Sequence, residues 1–214
     1  MSNSHIGTDE SGKGDYFGPL VVAGVVVDEA TQPRLGELGV RDSKTLSNRR
    51  VVTLADKIIS LCPHALVTIG PPRYNELYAK IGNLNHLLAW AHARAIEDLL
   101  EKVPGCPVVV DKFADQRVLQ SALMQRGKAT TVTQRVRAED DMAVAAASIV
   151  ARARFLGSLD ELSEAWSLRL AAGAGPPVLE AGRTFIATHG KQALAEVAKL
   201  HFKTTATLGA RPTA

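Results

Sequence analysis

The chain has 214 residues, 46% hydrophobic and 22% charged, which excludes a disordered or disulfide-stapled mini-protein and suits a globular domain with a full core. Its formal net charge of +3 is compatible with a nucleic-acid partner without indicating one, because the charges are mixed along the chain and any phosphate-binding face must be local. Cys62 and Cys106 each adjoin a proline and form no CxxC pair, which argues against a zinc site, and the longest apolar runs fall well short of a membrane span.

Taken in chain order, Ile6 to Asp9 reads as a strand and Ser11 to Pro19 as a glycine-rich turn. Leu20 to Val27 is an unbroken apolar, β-branched run, the pattern of a strand buried on both faces. Asp42 to Ser47 reads as a loop, with Ser47 as N-cap of a helix from Asn48 to Leu61; Val51, Val52, Leu54, Ala55, Ile58 and Ile59 recur there at helical spacing. Ala65 to Ile69 is a short strand, Pro71 to Leu77 opens a turn-then-helix unit, and Asn83 to Leu100 is a strong helix. Val108 to Asp111 is a short buried strand ending in a carboxylate. A helix over Arg117 to Arg126 and a strand over Ala129 to Val136 follow. Ala138 to Ala153 is an alanine-rich helix opened by Glu139, Asp140 and Asp141, acids that suit a helix N-terminus. One or two helices lie between Val178 and Leu200. The alternation predicts an α/β domain around one sheet, running as a single domain over residues 1–214 with a C-terminal helical part from about 155 to 208.

Three acidic sites stand at element ends: Asp9-Glu10, Asp111 and the Glu139 cluster. Carboxylates at strand ends can converge on one sheet edge, and they repel one another unless cations lie between them. A donor set of oxygens alone favours Mg2+ or Mn2+ over zinc, and two such ions can clamp a phosphodiester under hydrolysis. Acids at element ends are also commonly just solvated, so spacing alone leaves both readings open.

The run Asp9-Glu10-Ser11-Gly12-Lys13-Gly14-Asp15-Tyr16-Phe17-Gly18-Pro19 closely resembles the signature of the type 2 ribonucleases H, in the form of the ribonuclease HIII branch. Asp42-Ser43-Lys44, Tyr74 to Tyr78 with Asn83-Leu84-Asn85, Val110-Asp111, Ala138-Glu139 and His201 to Thr204 resemble further blocks of that family, in family order from about Gly7 to Leu208. The resemblance implies a ribonuclease H-like mixed sheet flanked by helices, with a C-terminal helical extension. It implies endonucleolytic hydrolysis of RNA in RNA–DNA hybrids, leaving 5′-phosphate and 3′-hydroxyl ends, with Mg2+ or Mn2+ as cofactor. Asp9, Glu10, Asp111 and Glu139 would be the catalytic, metal-binding carboxylates, with Asp140 or Asp141 as alternatives to Glu139. Ser11, Gly12, Lys13, Gly14, Ser43 and Lys44 would contact substrate, the glycine loop sensing the 2′-hydroxyls that distinguish RNA from DNA.

Other residues take plainer expectations. Asn83 and Asn85 either touch substrate backbone or cap their helix. His92 is structural, His201 caps a helix C-terminus, Tyr16 and Phe17 pack, and Ala143 to Ser148 is close helix packing without chemistry. Many members of the branch carry an N-terminal substrate-binding domain. Eight residues precede Asp9 here, so the expectation is a catalytic domain without that module, a cytoplasmic monomer with no membrane partner. The segment Leu170 to Gly175 lacks the lysine the family often has there. The competing functions are ribonuclease HII-like incision at single ribonucleotides in duplex DNA, against which stands the lack of any tyrosine after Tyr78, and an inactive hybrid-binding module.

Overall fold

The computed structural model describes residues 4–40 and 46–209, and of Glu139 the backbone alone. The chain forms two compact units: residues 1–11, 21–67 and 83–153 make the first, and residues 12–20, 68–82 and 154–214 the second.

The first unit carries the body of a five-stranded mixed sheet, in the order β3-β2-β1-β4-β5. β1 (His5–Ser11) pairs antiparallel with β2 (Leu20–Val27), Asp9 facing Ala23 across the ladder. On its other side β1 runs parallel to β4 (Val108–Asp111), which in turn runs parallel to β5 (Val132–Arg135). β3 (His64–Ile69) is an edge strand. β2 is buried at all eight positions, as its unbroken apolar run requires. The remaining elements of this unit are α1 (Thr31–Glu37), α2 (Asn48–Leu61), α4 (Leu84–Lys102), α5 (Gln116–Ala122), α6 (Gln125–Lys128), a 3-10 turn over Ala138–Asp140 and the first half of α7 (Met142–Ala165).

Strand alternation assigns the two faces of β1. Thr8 and its partner Gly24 face α4, where a side chain on Gly24 would meet Leu99 Cδ1 at 2.7 Å. Gly7 faces α7 on the opposite side, and a Cβ there would be driven into the backbone of Ala143 and Val144 and to 2.7 Å from Ala143 Cβ. Backbone against backbone leaves nothing flexible to yield. Gly7→Ala is therefore expected to cost about 3 kcal/mol or more, the range of severe core overpacking, read as a large drop in melting temperature or insoluble expression. A variant as stable as the parent would contradict this packing.

α7 is long and apolar enough to cross a membrane by length and composition, which corrects the sequence reading that no run approaches such a span. Within the protein 67% of its most apolar stretch is buried, and Ala143 to Ala147 press on the sheet through residues small enough for close approach.

Other boundaries shift for identifiable reasons. The expected helix Arg117 to Arg126 is two helices, α5 and α6. The Glu97 carboxylate accepts from the N–H groups of Arg126 (3.0 Å) and Gly127 (3.1 Å), starting α6 afresh from 29 residues away. α7 begins at Met142 rather than Ala138, because Asp141 accepts from Ala143 N and Val144 N and so caps it. β5 is shorter than expected, with Val136 70% exposed beyond its end. Ser47 caps α2 as expected, and of the two readings left open for Asn83 the structure shows the cap of α4, accepting from Asn85 N at 2.8 Å.

The second unit holds α3 (Pro71–Ile81), α8 (Pro176–His189), α9 (Leu194–Val197), α10 (Lys203–Thr207), the far half of α7 and the turn 12–19. Lys199 organises it. Its side chain is wholly buried, and its ammonium donates to the carbonyl of Gly18 at 2.6 Å, with those of Phe17 and Pro19 at 3.4 Å. Burial pushes Lys199 down to about 7, opposed by the charge of Asp15. Tyr16 and Phe17 are buried and meet edge to face at 4.9 Å, so they pack, as expected. His201 lies between α9 and α10 and stacks on Tyr78 at 4.1 Å; it does not cap a helix, which corrects that expectation. Burial, and then the charge of Lys199, hold His201 below its ordinary value.

Candidate active site

The carboxylates gather where β1 and β4 end side by side. The parallel register sets Thr8 opposite Val110, so Asp9 and Asp111 are the next residues along and share a face. That face is covered by α7, and Ser148 of α7 hydrogen-bonds the Asp9 carboxylate. Asp9 Oδ1 also accepts from Glu10 N at 2.8 Å. Asp111 Oδ1 accepts from the N–H of Ala138 at 3.0 Å, which ties the start of the 3-10 turn to the end of β4. Glu139 follows Ala138 directly, so its backbone stands one residue from this bond.

Asp9 is only 8% exposed, and its acidity reports the crowding. Burial first, then the charge of Glu10 and more weakly that of Asp111, raise it from 3.8 to about 7, against the bonds from Ser148 and Glu10 N. A carboxylate that resists ionisation among other carboxylates marks a site short of positive charge. The donor oxygens of Asp9, Glu10 and Asp111 suit a hard divalent cation, which supplies that charge. Among the described residues no three His, Cys, Asp or Glu side chains already stand at metal-binding spacing, so the fit rests on charge and donor type.

Glu10 differs from its neighbour. As the next residue along the strand it projects toward α4, where its Oε2 lies 3.3 Å from His92 Nε2. His92 is fully buried, its Nδ1 is 2.9 Å from Thr8 Oγ1, and its ring stacks on Phe113 at 4.7 Å with planes 8° apart.

The alternative acids are otherwise engaged. Asp140 is exposed and pairs with Arg135 at 3.1 Å. Asp141 caps α7 and meets His5 Nε2 at 2.9 Å. Burial opposes its ionisation, but the bond and charge of His5, with the N–H groups of Val144 and Ala143, hold it below the usual carboxylate range.

Of the expected substrate contacts, Ser43 and Lys44 lie outside the described residues. Ser11 is the last residue of β1, opposite Val21. Gly12, Lys13 and Gly14 form a tight turn in the second unit, closed by Asp15 N donating to Gly12 O at 3.3 Å. Asp15 in turn accepts from Gly173 N at 2.6 Å, so the lysine-poor segment expected near Gly173 serves to brace this turn. Gly12 sits at φ +86° and is buried.

Sequence reasoning missed Ser148, read only as packing, and the contact of His92 with Glu10. The available signals were slight: one hydroxyl in a run of alanines, and one imidazole on an apolar helix face.

Known proteins resemble the chain over nearly its whole length. The Ribonuclease HII family model matches residues 6–205. Ribonuclease HIII of Protochlamydia amoebophila is 47% identical over 201 residues, covering 94% of this chain and 66% of that protein. Ribonuclease HIII of Chlamydia felis is 44% identical over 202 residues, covering 93% and 67%. The crystal structure of Bst-RNase HIII in complex with Mn2+ matches with a TM-score of 0.88 at 34% identity, over 96% of this chain and 68% of that one. The chain thus spans about two thirds of the length of the curated relatives it matches. With a family match running over nearly all of its residues and a fold shared with ribonuclease HIII, the chain belongs to the type 2 ribonuclease H family, on the ribonuclease HIII branch.

Proposed function

We propose that this chain is an endonuclease that hydrolyses the RNA strand of RNA–DNA hybrids, with Mg2+ or Mn2+ held by Asp9, Glu10, Asp111 and Glu139. One observation carries the reading. Asp9 is buried beside two other carboxylates and raised to about 7, an arrangement that is costly unless a cation completes it. The Mn2+ complex of Bst-RNase HIII, a relative with the same fold, supports the choice of ion.

The reaction adds water across a phosphodiester. The water oxygen bonds to phosphorus, the bond from phosphorus to the 3′-oxygen breaks, and a proton ends on that oxygen, leaving 5′-phosphate and 3′-hydroxyl ends. Two bound divalent ions would supply the electrophilic stabilisation of the attacking and leaving oxygens. The residues supply position. The Glu10 N–H and Ser148 hold Asp9, and the Ala138 N–H holds Asp111, so these oxygens are fixed before any ion arrives. Ser11, Gly12, Lys13, Gly14, Ser43 and Lys44 are assigned to the substrate: Lys13 and Lys44 to phosphates, the glycine amides to the sugar edge that carries the 2′-hydroxyl.

The test is cleavage of an end-labelled hybrid beside a DNA duplex holding one ribonucleotide, in Mg2+, in Mn2+ and in EDTA. The expected result is ion-dependent cutting of the hybrid at many RNA positions and none in EDTA. Cutting confined to the single-ribonucleotide duplex would replace this reading with the ribonuclease HII-like one. Tight hybrid binding with no cleavage in either ion would overturn it.

A further inference from the structure

Adjacent residues on a strand point to opposite faces, yet Asp9 and Glu10 are both assigned to one metal site. Asp9 shares its face with Asp111 and the turn that carries Glu139. Glu10 starts from the other face, beside α4, and must turn toward that site. What it meets there is His92, wholly buried and held on three sides. A carboxylate only accepts, so His92 Nε2 is the donor to Glu10 Oε2 at 3.3 Å. The tautomer that donates from Nε2 leaves Nδ1 to accept from the Thr8 hydroxyl, 2.9 Å away. Thr8 stands two residues before Glu10 on the same face of β1, so one strand anchors one end of the chain and presents the other. Phe113, two residues after Asp111, stacks on the ring and fixes its plane.

We infer that His92 is a positioning residue of the metal site, aiming the Glu10 carboxylate through a hydrogen-bond chain that begins at Thr8 and is clamped by Phe113. The inference rests on the metal-binding reading of Asp9, Glu10 and Asp111. Losing such an outer partner weakens metal affinity by about tenfold or more.

The test reads ion binding without substrate: calorimetric Mn2+ titration of the parent, His92→Leu, His92→Gln, Thr8→Val and Asp9→Asn, with circular dichroism as the check on folding. Gln keeps an N–H near the position of Nε2, whereas Leu keeps only bulk. His92→Leu should weaken Mn2+ binding about tenfold, His92→Gln should recover most of the affinity, and Thr8→Val should weaken it about threefold by freeing the ring to change tautomer. Parent-like Mn2+ affinity in folded His92→Leu overturns the inference, as does equal loss in the Leu and Gln variants, which would mean bulk or packing alone. Should His92→Leu fail to fold, Thr8→Val decides, and parent-like affinity in it overturns the inference. A parent that binds Mn2+ no better than Asp9→Asn would instead sink the metal reading itself.

Discussion

Asp9→Asn is expected to abolish hybrid cleavage and, in the same protein without divalent ions, to raise the melting temperature. The two effects have one cause. Burial first, then the charges of Glu10 and Asp111, lift the folded value of Asp9 from 3.8 to about 7. At neutral pH the ion-free protein therefore carries a carboxylate its surroundings oppose. A shift of that size corresponds to at most about 4 kcal/mol, at about 1.4 kcal/mol per unit, and relaxation reduces it. Asparagine keeps the shape and removes the charge. A gain of about 1–3 kcal/mol would raise the melting temperature by roughly 3–10 °C in a chain of this size. Activity moves the other way. Losing an anionic ligand should lower the rate by about three orders of magnitude or more, about 4 kcal/mol of barrier.

The pH dependence of the same group follows by linkage. The folded value of Asp9 lies above the unfolded one, so between about 4 and 7 the folded state binds more protons. Its contribution to stability is full below the unfolded value and is lost as pH rises through about 7. Ion-free parent protein should lose melting temperature over that range, and Asp9→Asn should lose less. Added Mn2+ should restore the parent and leave the variant almost unmoved. An Asp9→Asn protein that cleaves at the parental rate, or that is less stable than the ion-free parent, would remove the basis for this site.

The sequence displays what depends on neighbours along the chain. β2 is legible at both ends because eight apolar residues stand between a proline and an aspartate, and a strand buried on both faces needs nothing else. Asp111 is legible as a strand-end carboxylate because it directly follows three valines. Ser47 and Asn83 are legible as caps because a cap acts two or three residues away. What escaped detection acts at a distance. The break between α5 and α6 is made by Glu97, on another helix. α1 contains Pro33 and Gly36 and buries only Leu35, so it offers no apolar period to read. In the candidate site, the acids are legible as carboxylates at element ends and their orientation is not. Which face of β1 belongs to α4 and which to α7 is a tertiary fact, and it alone gives Asp9 to Ser148 and Glu10 to His92.

Gly12→Ala should cost more than its single methyl suggests, and Gly14→Ala, two residues on, should leave the fold intact. Gly12 sits at φ +86°, where an L side chain is strained by about 1–2 kcal/mol. A Cβ there would also run into the carbonyl oxygen of Pro19 and lie 2.9 Å from the Phe155 ring. Pro19 cannot retreat easily, because Lys199 holds the carbonyls of Phe17, Gly18 and Pro19 together. The strain must be released by moving residues 12–14, the turn proposed to carry the substrate amides. Cleavage of the hybrid should fall about a hundredfold in kcat/KM, with a melting temperature lower by a few degrees. At Gly14 a Cβ meets nothing within 4 Å among the described residues, so alanine there is accommodated. Stability of Gly14→Ala should match the parent. A methyl between the turn and the sugar-phosphate would then show as a higher KM for the hybrid at unchanged melting temperature. Parental kinetics in both variants would mean that this turn does not touch the substrate, and parental stability in Gly12→Ala would mean that the turn is not held as described.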